Sequence, residues 1–378
     1  MDDQPIRILH VIGQMNYGGA ETLIMGLYRN IDRTRVQFDF VENTFEKAAF
    51  DDKIQMLGGR IFNCPHYNGR NHLTYVRWWK KFFHSHARDY AAVHGHIGST
   101  AALYLHEAKK HGLYAIAHSH NTNGVGFSDL VYRAFAFPTR FIADQFFACS
   151  HAAGVDRFGS RIGNDASRCI LLRNAIDTQR FAYNAQTRKA VRSKWGISDD
   201  KFVIGHVGRF VQQKNHVFLL DIFSEMLKRE PRSRLLLVGQ EDPDHIIRQK
   251  AEALGIADRI IFAGVHRDTA PFYQAMDVFL LPSLFEGFGI VNIEAQTSGL
   301  PCFASDKVVA PESKVTDLMH FIPLEKSPKQ WSEEIFQFLS LLGPRRDYSH
   351  EVRAAGYDIG EVSKDLELFY RKALKKRG

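Results

Sequence analysis

The chain has 378 residues, 45% hydrophobic and 24% charged, too long for one ordinary core and so expected to form two domains of roughly 150 to 200 residues each. Its net charge is +7, with 20 Lys and Arg against 15 Asp and Glu in residues 1–175 and 29 against 27 in the remainder; so mild a bias suits an anionic ligand or an anionic membrane surface and, with no nucleic-acid module, excludes a nucleic-acid partner. Cys64, Cys149, Cys169 and Cys302 form no CxxC pair, which excludes a zinc ribbon or disulfide framework and points to a reducing compartment.

The opening MDDQPIRILHVIG is acidic ahead of a short apolar run, the wrong polarity for a signal peptide. No apolar stretch nears the roughly 20 residues that span a bilayer, so the protein is expected in the cytoplasm. IRILHVIG (6–13) reads as a strand, QMNYGGAET (14–22) as a loop, and GGAETLIMGLYRNI as a helix with Leu23, Leu27 and Ile31 at helical spacing. Gly18 and Gly19 let the backbone approach a ligand at that helix start. A full G-x-G-x-x-G is missing, so bound NAD is not indicated. VQFDFV and GRIFNC are further strands. HLTYVRWWKKFFHSHARDY (72–90) sets Val76, Trp79, Phe82 and Phe83 on one helical face; the preferred reading is a helix covering a sheet, the alternative an interfacial helix on anionic lipid.

AAVHGHI and LYAIAHSH are strands that end in histidine pairs, His94 with His96 and His118 with His120. Spacing i, i+2 puts both rings of a pair on one face. Such pairs also suit a metal, which supplies a rival reading as a metal-dependent hydrolase built on these four histidines; the further ligands it needs are not apparent. QFFACS closes the first series. The polar stretch RNAIDTQRFAYNAQTRKAVRSKWGISDD (173–200) is expected to hold a hinge.

A second series runs through KFVIGHVGRF (201–210), SRLLLVGQ, RIIFAGV and DVFLLPS. Apolar runs alternating with helical stretches indicate parallel sheets covered on both faces, so the fold class is α/β with two Rossmann-like domains. Ligands in such folds bind beyond the C-terminal ends of the strands. GHVGRFVQQKNHVFLL (205–220) ends a strand at Gly208 and begins a helix near His216, with Asn215 as N-cap. Arg209 and Lys214 flank that loop, and two cations beside a helix N-terminus suit a diphosphate. In LPSLFEGFGIVNIEAQTSGLPC (281–302), Gly287 and Gly289 make a tight turn and a helix starts between Phe288 and Ile290. Glu286 then stays in the loop, and Glu294 falls in the second turn, leaning back towards the helix start. Carboxylates that accept bonds from sugar hydroxyls explain both. A glycosidase-like acid/base pair is the alternative, but it leaves the cationic loop unexplained.

GGAE, GRF…QKN and EGFGIVNIE, in this order, resemble the retaining glycosyltransferases of family four, and AHSHN and GLPC resemble the branch that assembles bacterial capsular and exopolysaccharides. The resemblance covers nearly the whole chain. It implies the GT-B fold, two Rossmann-like domains with parallel sheets facing across a central cleft. Residues 1–175 would be the acceptor domain, with a last helix at about 359–378 packing back on it, and 176–358 the nucleotide-sugar domain. By the same resemblance Arg209 and Lys214 grip the donor diphosphate. Glu286 holds donor-sugar hydroxyls, assisted by the N–H groups of Phe288, Gly289 and Ile290, and Glu294 bonds the ribose. Gly18 and Gly19 approach the phosphate, with the Gly19 N–H offered to it, and Val265 clasps the base through its main chain. His118 contacts the donor sugar, and His96 and His120 line the acceptor side. QEDPD after LLLVG departs from the family's glycine-rich acidic turn, so the base is less firmly implied than the phosphate.

The implied activity is transfer of a hexose or N-acetylhexosamine from a nucleotide sugar, UDP-linked for preference, to a saccharide or lipid-linked acceptor. Attack is from the front face, with the donor phosphate taking the acceptor proton. No cofactor and no metal are expected, in keeping with the missing DxD motif, and a cytoplasmic protein peripheral on the inner face of the cell membrane is compatible with this activity. An inactive sugar-nucleotide-binding protein is a further alternative, which intact Arg209, Lys214, Glu286 and Glu294 argue against. A UDP-sugar 2-epimerase shares the architecture but not these motifs.

Overall fold

The computed structural model describes residues 4–120 and 133–375; Asn121 of the AHSHN motif and the last three residues of the basic tail lie outside them. The chain divides into two compact units, Met1–Ala175 with Asp358–Gly378, and Ile176–Tyr357. In the first, seven strands form one sheet: β1 (Ile6–Ile12), β2 (Val36–Glu42), β3 (Ile61–Asn63), β4 (Ala92–Gly95), β5 (Tyr114–Ser119), β6 (Gln145–Ala148) and β7 (Cys169–Leu171), in the order β3-β2-β1-β4-β5-β6-β7. In the second, β8 (Val203–Val207), β9 (Arg234–Val238), β10 (Ile260–Gly264), β11 (Val278–Leu281), β12 (Cys302–Ser305) and β13 (Met319–Ile322) form the order β10-β9-β8-β11-β12-β13. All described strand pairings are parallel.

Each core is sheet against helix. In the first unit Ile8, Phe38, Phe40 and Ile116 of the strands meet Leu23 and Leu27 of the helix Gly19–Asn30, whose four-residue spacing predicted that face. The last helix, Ile359–Lys375, adds Ile359, Val362, Leu366 and Tyr370 to the same cluster. In the second unit Leu219, Phe223 and Met226 of the helix His216–Arg229 cover Ile204, Leu235 and Val278.

Helix His72–His86 turns Tyr75, Trp79, Phe82 and Phe83 inward, so its aromatic residues belong to packing; Tyr75 takes the place expected for Val76, which is half-buried. Among the described residues no helix is long and apolar enough to cross a membrane. The stretch 173–200 contains the boundary between the units, and from Ile176 on it is built into the second. It carries the helices Thr178–Phe181 and Ala185–Lys194, and Arg188 and Arg192 clamp Asp277 at 2.6 and 2.7 Å. Three short strands, β7, β12 and β13, were not anticipated from sequence. Each has only three or four residues, as do β3, β4, β6 and β11, which the sequence did reveal.

Candidate functional site

Both sheets reverse strand order at one point, between β1 and β4 in the first unit and between β8 and β11 in the second. Loops leaving adjacent strands there part in opposite directions and open a crevice at the strand ends, the usual ligand position in such sheets. Most of the sequence-predicted residues follow the strands that flank these two points, whereas His118 and His120 lie at the end of β5 and Val265 follows β10, the edge strand of the second sheet.

In the second unit Arg209 lies two residues beyond β8, exposed and without an ionic partner among the described residues. Beneath it the loop is tightly packed: a Cβ on Gly239, at the end of β9, would sit 2.0 Å from the Gly208 carbonyl oxygen, so only glycine fits. Lys214 donates from Nζ to Glu286 Oε1 at 2.5 Å, and the Ser283 hydroxyl donates to the same oxygen at 2.9 Å. Ser283 is oriented in turn because its carbonyl accepts from Ser305 Oγ of β12. The two loops are also joined through backbone, Leu284 N–H to Gln213 O at 2.8 Å and Gln213 Nε2 to Phe285 O at 3.0 Å. The basic loop and the first carboxylate are therefore one constellation, with Glu286 9% exposed.

Asn215 stands at the N-cap position, but its side chain makes no capping bond; it adopts a left-handed φ of 54°. The turn after β11 ends at Gly289, φ 77°, where an added Cβ would press on the Asn292 amide at 3.0 Å. The helix Ile290–Thr297 follows. Phe288 stacks on Tyr357 with ring centroids 5.7 Å apart, so its side chain is structural. The amides of Phe288, Gly289 and Ile290 find no acceptor among the described residues and form the N–H cluster of a helix start.

Glu294 is half-buried and accepts from Tyr273 OH at 2.6 Å. Burial raises its carboxyl to about 7 against the lowering effect of that bond, and holds the Tyr273 phenol well above its usual range. Val265 is 65% exposed just past β10, after Gly264 at φ 76°.

In the first unit the helix Gly19–Asn30 begins at the β1 loop. Gly18 is extended at its N-cap, with Glu21 so close that a Cβ would meet Oε2 at 2.2 Å, whereas a Cβ on Gly19 would meet nothing within 4 Å. The loop is pinned where Met15 N–H donates to Glu42 Oε1 at 3.0 Å. Glu42 is fully buried, and its carboxyl is raised by burial to about 7.

The histidine pairs converge on each other and on His10 of β1, which pairs in register with His94. His10 Nδ1 lies 2.9 Å from His96 Nε2, and His96 Nδ1 lies 2.8 Å from His120 Nε2. His94 Nε2 lies 3.2 Å from His118 Nδ1, and His94 Nδ1 lies 2.6 Å from the hydroxyl of Tyr370. Burial lowers His10 to about 3 and His120 to about 4, and takes His94, His96 and His118 well below the usual range; all five are neutral at pH 7. Two trios, His10/His94/His96 and His96/His118/His120, bring ligand nitrogens within 4.8 Å of one another. The 2.8 and 2.9 Å contacts are N–H···N hydrogen bonds, shorter than the separation of about 3.3 Å between ligands of a tetrahedral zinc ion.

His10, Tyr273, Ser283 and Tyr370 were not singled out from sequence. For His10 a signal exists, since it sits in the same apolar strand pattern as the histidine pairs. The other three take their places from tertiary packing.

Comparison with known proteins agrees with this fold. Residues 17–180 match the family described as Glycosyltransferase Family 4, and residues 187–354 the family described as Glycosyl transferases group 1. The chain is 34% identical to the putative glycosyltransferase EpsF of Bacillus subtilis (strain 168), over 95% of this chain and 94% of that protein. It is 25% identical, over 57% of this chain and 58% of the relative, to the UDP-Gal:alpha-D-GlcNAc-diphosphoundecaprenol alpha-1,3-galactosyltransferase of Escherichia coli. The crystal structure of Anabaena Alr3699/HepE in complex with UDP-glucose superposes with a TM-score of 0.76 at 17% identity, covering 98% of this chain and 100% of that one. With two parallel Rossmann-like units, both family matches and a relative of this kind along nearly its full length, the chain belongs to the glycosyltransferases of family four and has their GT-B fold.

Proposed function

We propose that the enzyme is a retaining, metal-independent transferase that moves a hexose or N-acetylhexosamine from a UDP-linked donor to a saccharide or lipid-linked acceptor in polysaccharide assembly. The observation that carries this reading is the Lys214–Glu286 contact beside exposed Arg209 and the three unsatisfied amides at 288–290. One patch thereby offers cations and N–H groups to a diphosphate and a carboxylate to sugar hydroxyls. The galactosyltransferase relative supports a UDP donor and a lipid-linked acceptor by its name, and HepE was crystallised with UDP-glucose.

In the reaction the bond from the anomeric carbon to the donor phosphate breaks and one to an acceptor oxygen forms on the same face. The acceptor proton passes to the departing phosphate. Negative charge grows on the diphosphate, where Lys214, Arg209 and the helix start stabilise it without a metal. Glu286 holds hydroxyls of the transferred sugar, and Glu294 those of the ribose. Val265 clasps the base through its main chain, Gly18 and Gly19 approach the phosphate, His118 bonds the transferred sugar, and His96 and His120 face the acceptor. Residues 1–175 then serve the acceptor and 176–358 the donor, in a cytoplasmic enzyme peripheral to the membrane.

A thermal-shift series with nucleotides and nucleotide sugars tests the reading. At a hundredfold excess over Kd, a ligand specific for the folded state adds about 2.7 kcal/mol, so UDP is expected to raise the midpoint by several degrees. Glu294→Ala is expected to remove most of that rise. A midpoint indifferent to every nucleotide sugar, with no UDP released from UDP-hexoses, overturns the proposal.

A further inference from the structure

Tyr370 lies on the last helix, fully buried, with its hydroxyl 2.6 Å from His94 Nδ1 and no other partner among the described residues. We propose that Tyr370 is a positioning residue: acting through His94, it fixes His118 in the tautomer that carries its proton on Nε2, so that His118 meets the donor sugar as a hydrogen-bond donor.

The argument is a count of protons. A buried phenol must donate its O–H somewhere, and here the acceptor at hand is His94 Nδ1. A neutral imidazole that accepts at Nδ1 carries its hydrogen on Nε2. His94 Nε2–H therefore donates to His118 Nδ1, 3.2 Å away, and His118 in turn must be protonated on Nε2. That nitrogen is buried, and it has no partner among the described residues. Burial keeps both rings neutral, the condition under which each has one donor and one acceptor. The neighbouring chain, His10 to His96 to His120, lacks such an anchor, since His10 Nε2 and His120 Nδ1 at its two ends are both unpartnered. Its direction is free, whereas the chain that starts at Tyr370 runs one way.

What this adds rests on the role proposed above for His118. A donor at Nε2 bonds an oxygen lone pair of the sugar; the other tautomer could only accept from a hydroxyl. The selectivity of this atom is thus set by a residue 252 positions further along the sequence, on the helix that returns to the first unit.

The test uses the full-length enzyme labelled with 15N-histidine. Long-range 1H–15N spectra distinguish the tautomers directly, and the His118 signals are assigned by their loss in His118→Gln. The wild-type protein is expected to show His118 protonated on Nε2, and Tyr370→Phe a mixture of tautomers. Steady-state transfer by Tyr370→Phe is expected to lose about tenfold in kcat, with the UDP-induced midpoint shift retained. The wild-type spectrum alone decides the tautomer if the variant folds poorly, and it requires no activity, so failure of the transferase reading is seen separately. His118 protonated on Nδ1 in the wild type, or a Tyr370→Phe enzyme with unaltered spectrum and kcat, overturns the proposal.

Discussion

Lys214 and Glu286 form an ion pair in which each offsets the charge of the other. Removing the lysine leaves Glu286 buried with only the Ser283 hydroxyl as partner and, on the proposed reading, takes one of two cations from the diphosphate. Lys214→Ala is expected to lose on the order of 2–4 kcal/mol of transition-state stabilisation, by analogy with loss of one preorganised donor, read as kcat/KM. Glu286→Ala should abolish transfer while UDP, held elsewhere, still shifts the midpoint; undiminished turnover would reject the sugar-holding role. These charges were legible in the sequence because each is announced locally, by a glycine turn or a helix start. Their supports were not: Ser283 is aimed by Ser305 of another strand, and Tyr370 meets His94 across 276 positions. The sheet order that makes such contacts has no short-range signal.

At the level of elements, apolar runs declared themselves even where the strand is brief, as in β3, β4, β6 and β11, though not everywhere. The helix Gly19–Asn30 and the strands β1, β2 and β8 follow from apolar spacing, while β7, β12 and β13 exist through pairing with neighbours already in place. The boundary between the units, at Ala175 and Ile176, falls within the polar stretch 173–200, and most of that stretch is ordered all the same: polar composition does not preclude order when Arg188 and Arg192 find Asp277 and backbone carbonyls to bind. The last helix is an element of the first core. Leu366 is 2% exposed within it, so Leu366→Ala is expected to destabilise that unit by about 2–5 kcal/mol, the range for a buried leucine truncated to alanine. Denaturant unfolding followed by the near-ultraviolet signal would measure it. A loss below about 1 kcal/mol would mean that the helix is not held where its contacts place it.

For the molecule as a whole, each sheet reverses its strand order once, and charged or polar side chains stand beside that point in both units. The second unit carries the cations and carboxylates, and the first carries neutral histidines joined by hydrogen bonds. That division bears on metals. If Lys214, Arg209 and the helix start supply the counter-charge, transfer should survive millimolar EDTA with kcat unchanged within about twofold. Loss of activity on chelation, restored by zinc, would instead return the histidine trios to the centre of the mechanism.

The first unit is closed by residues 358–378, and this sets an order on biosynthesis. A ribosome finishes the entire second unit before it releases the segment that seals the first, so the earliest-made sheet waits longest with an apolar flank uncovered. The nascent protein is therefore most open to chaperones, proteases and mispairing at its beginning, and a stop codon ahead of Ile359 would leave the opening half of the polypeptide unfinished.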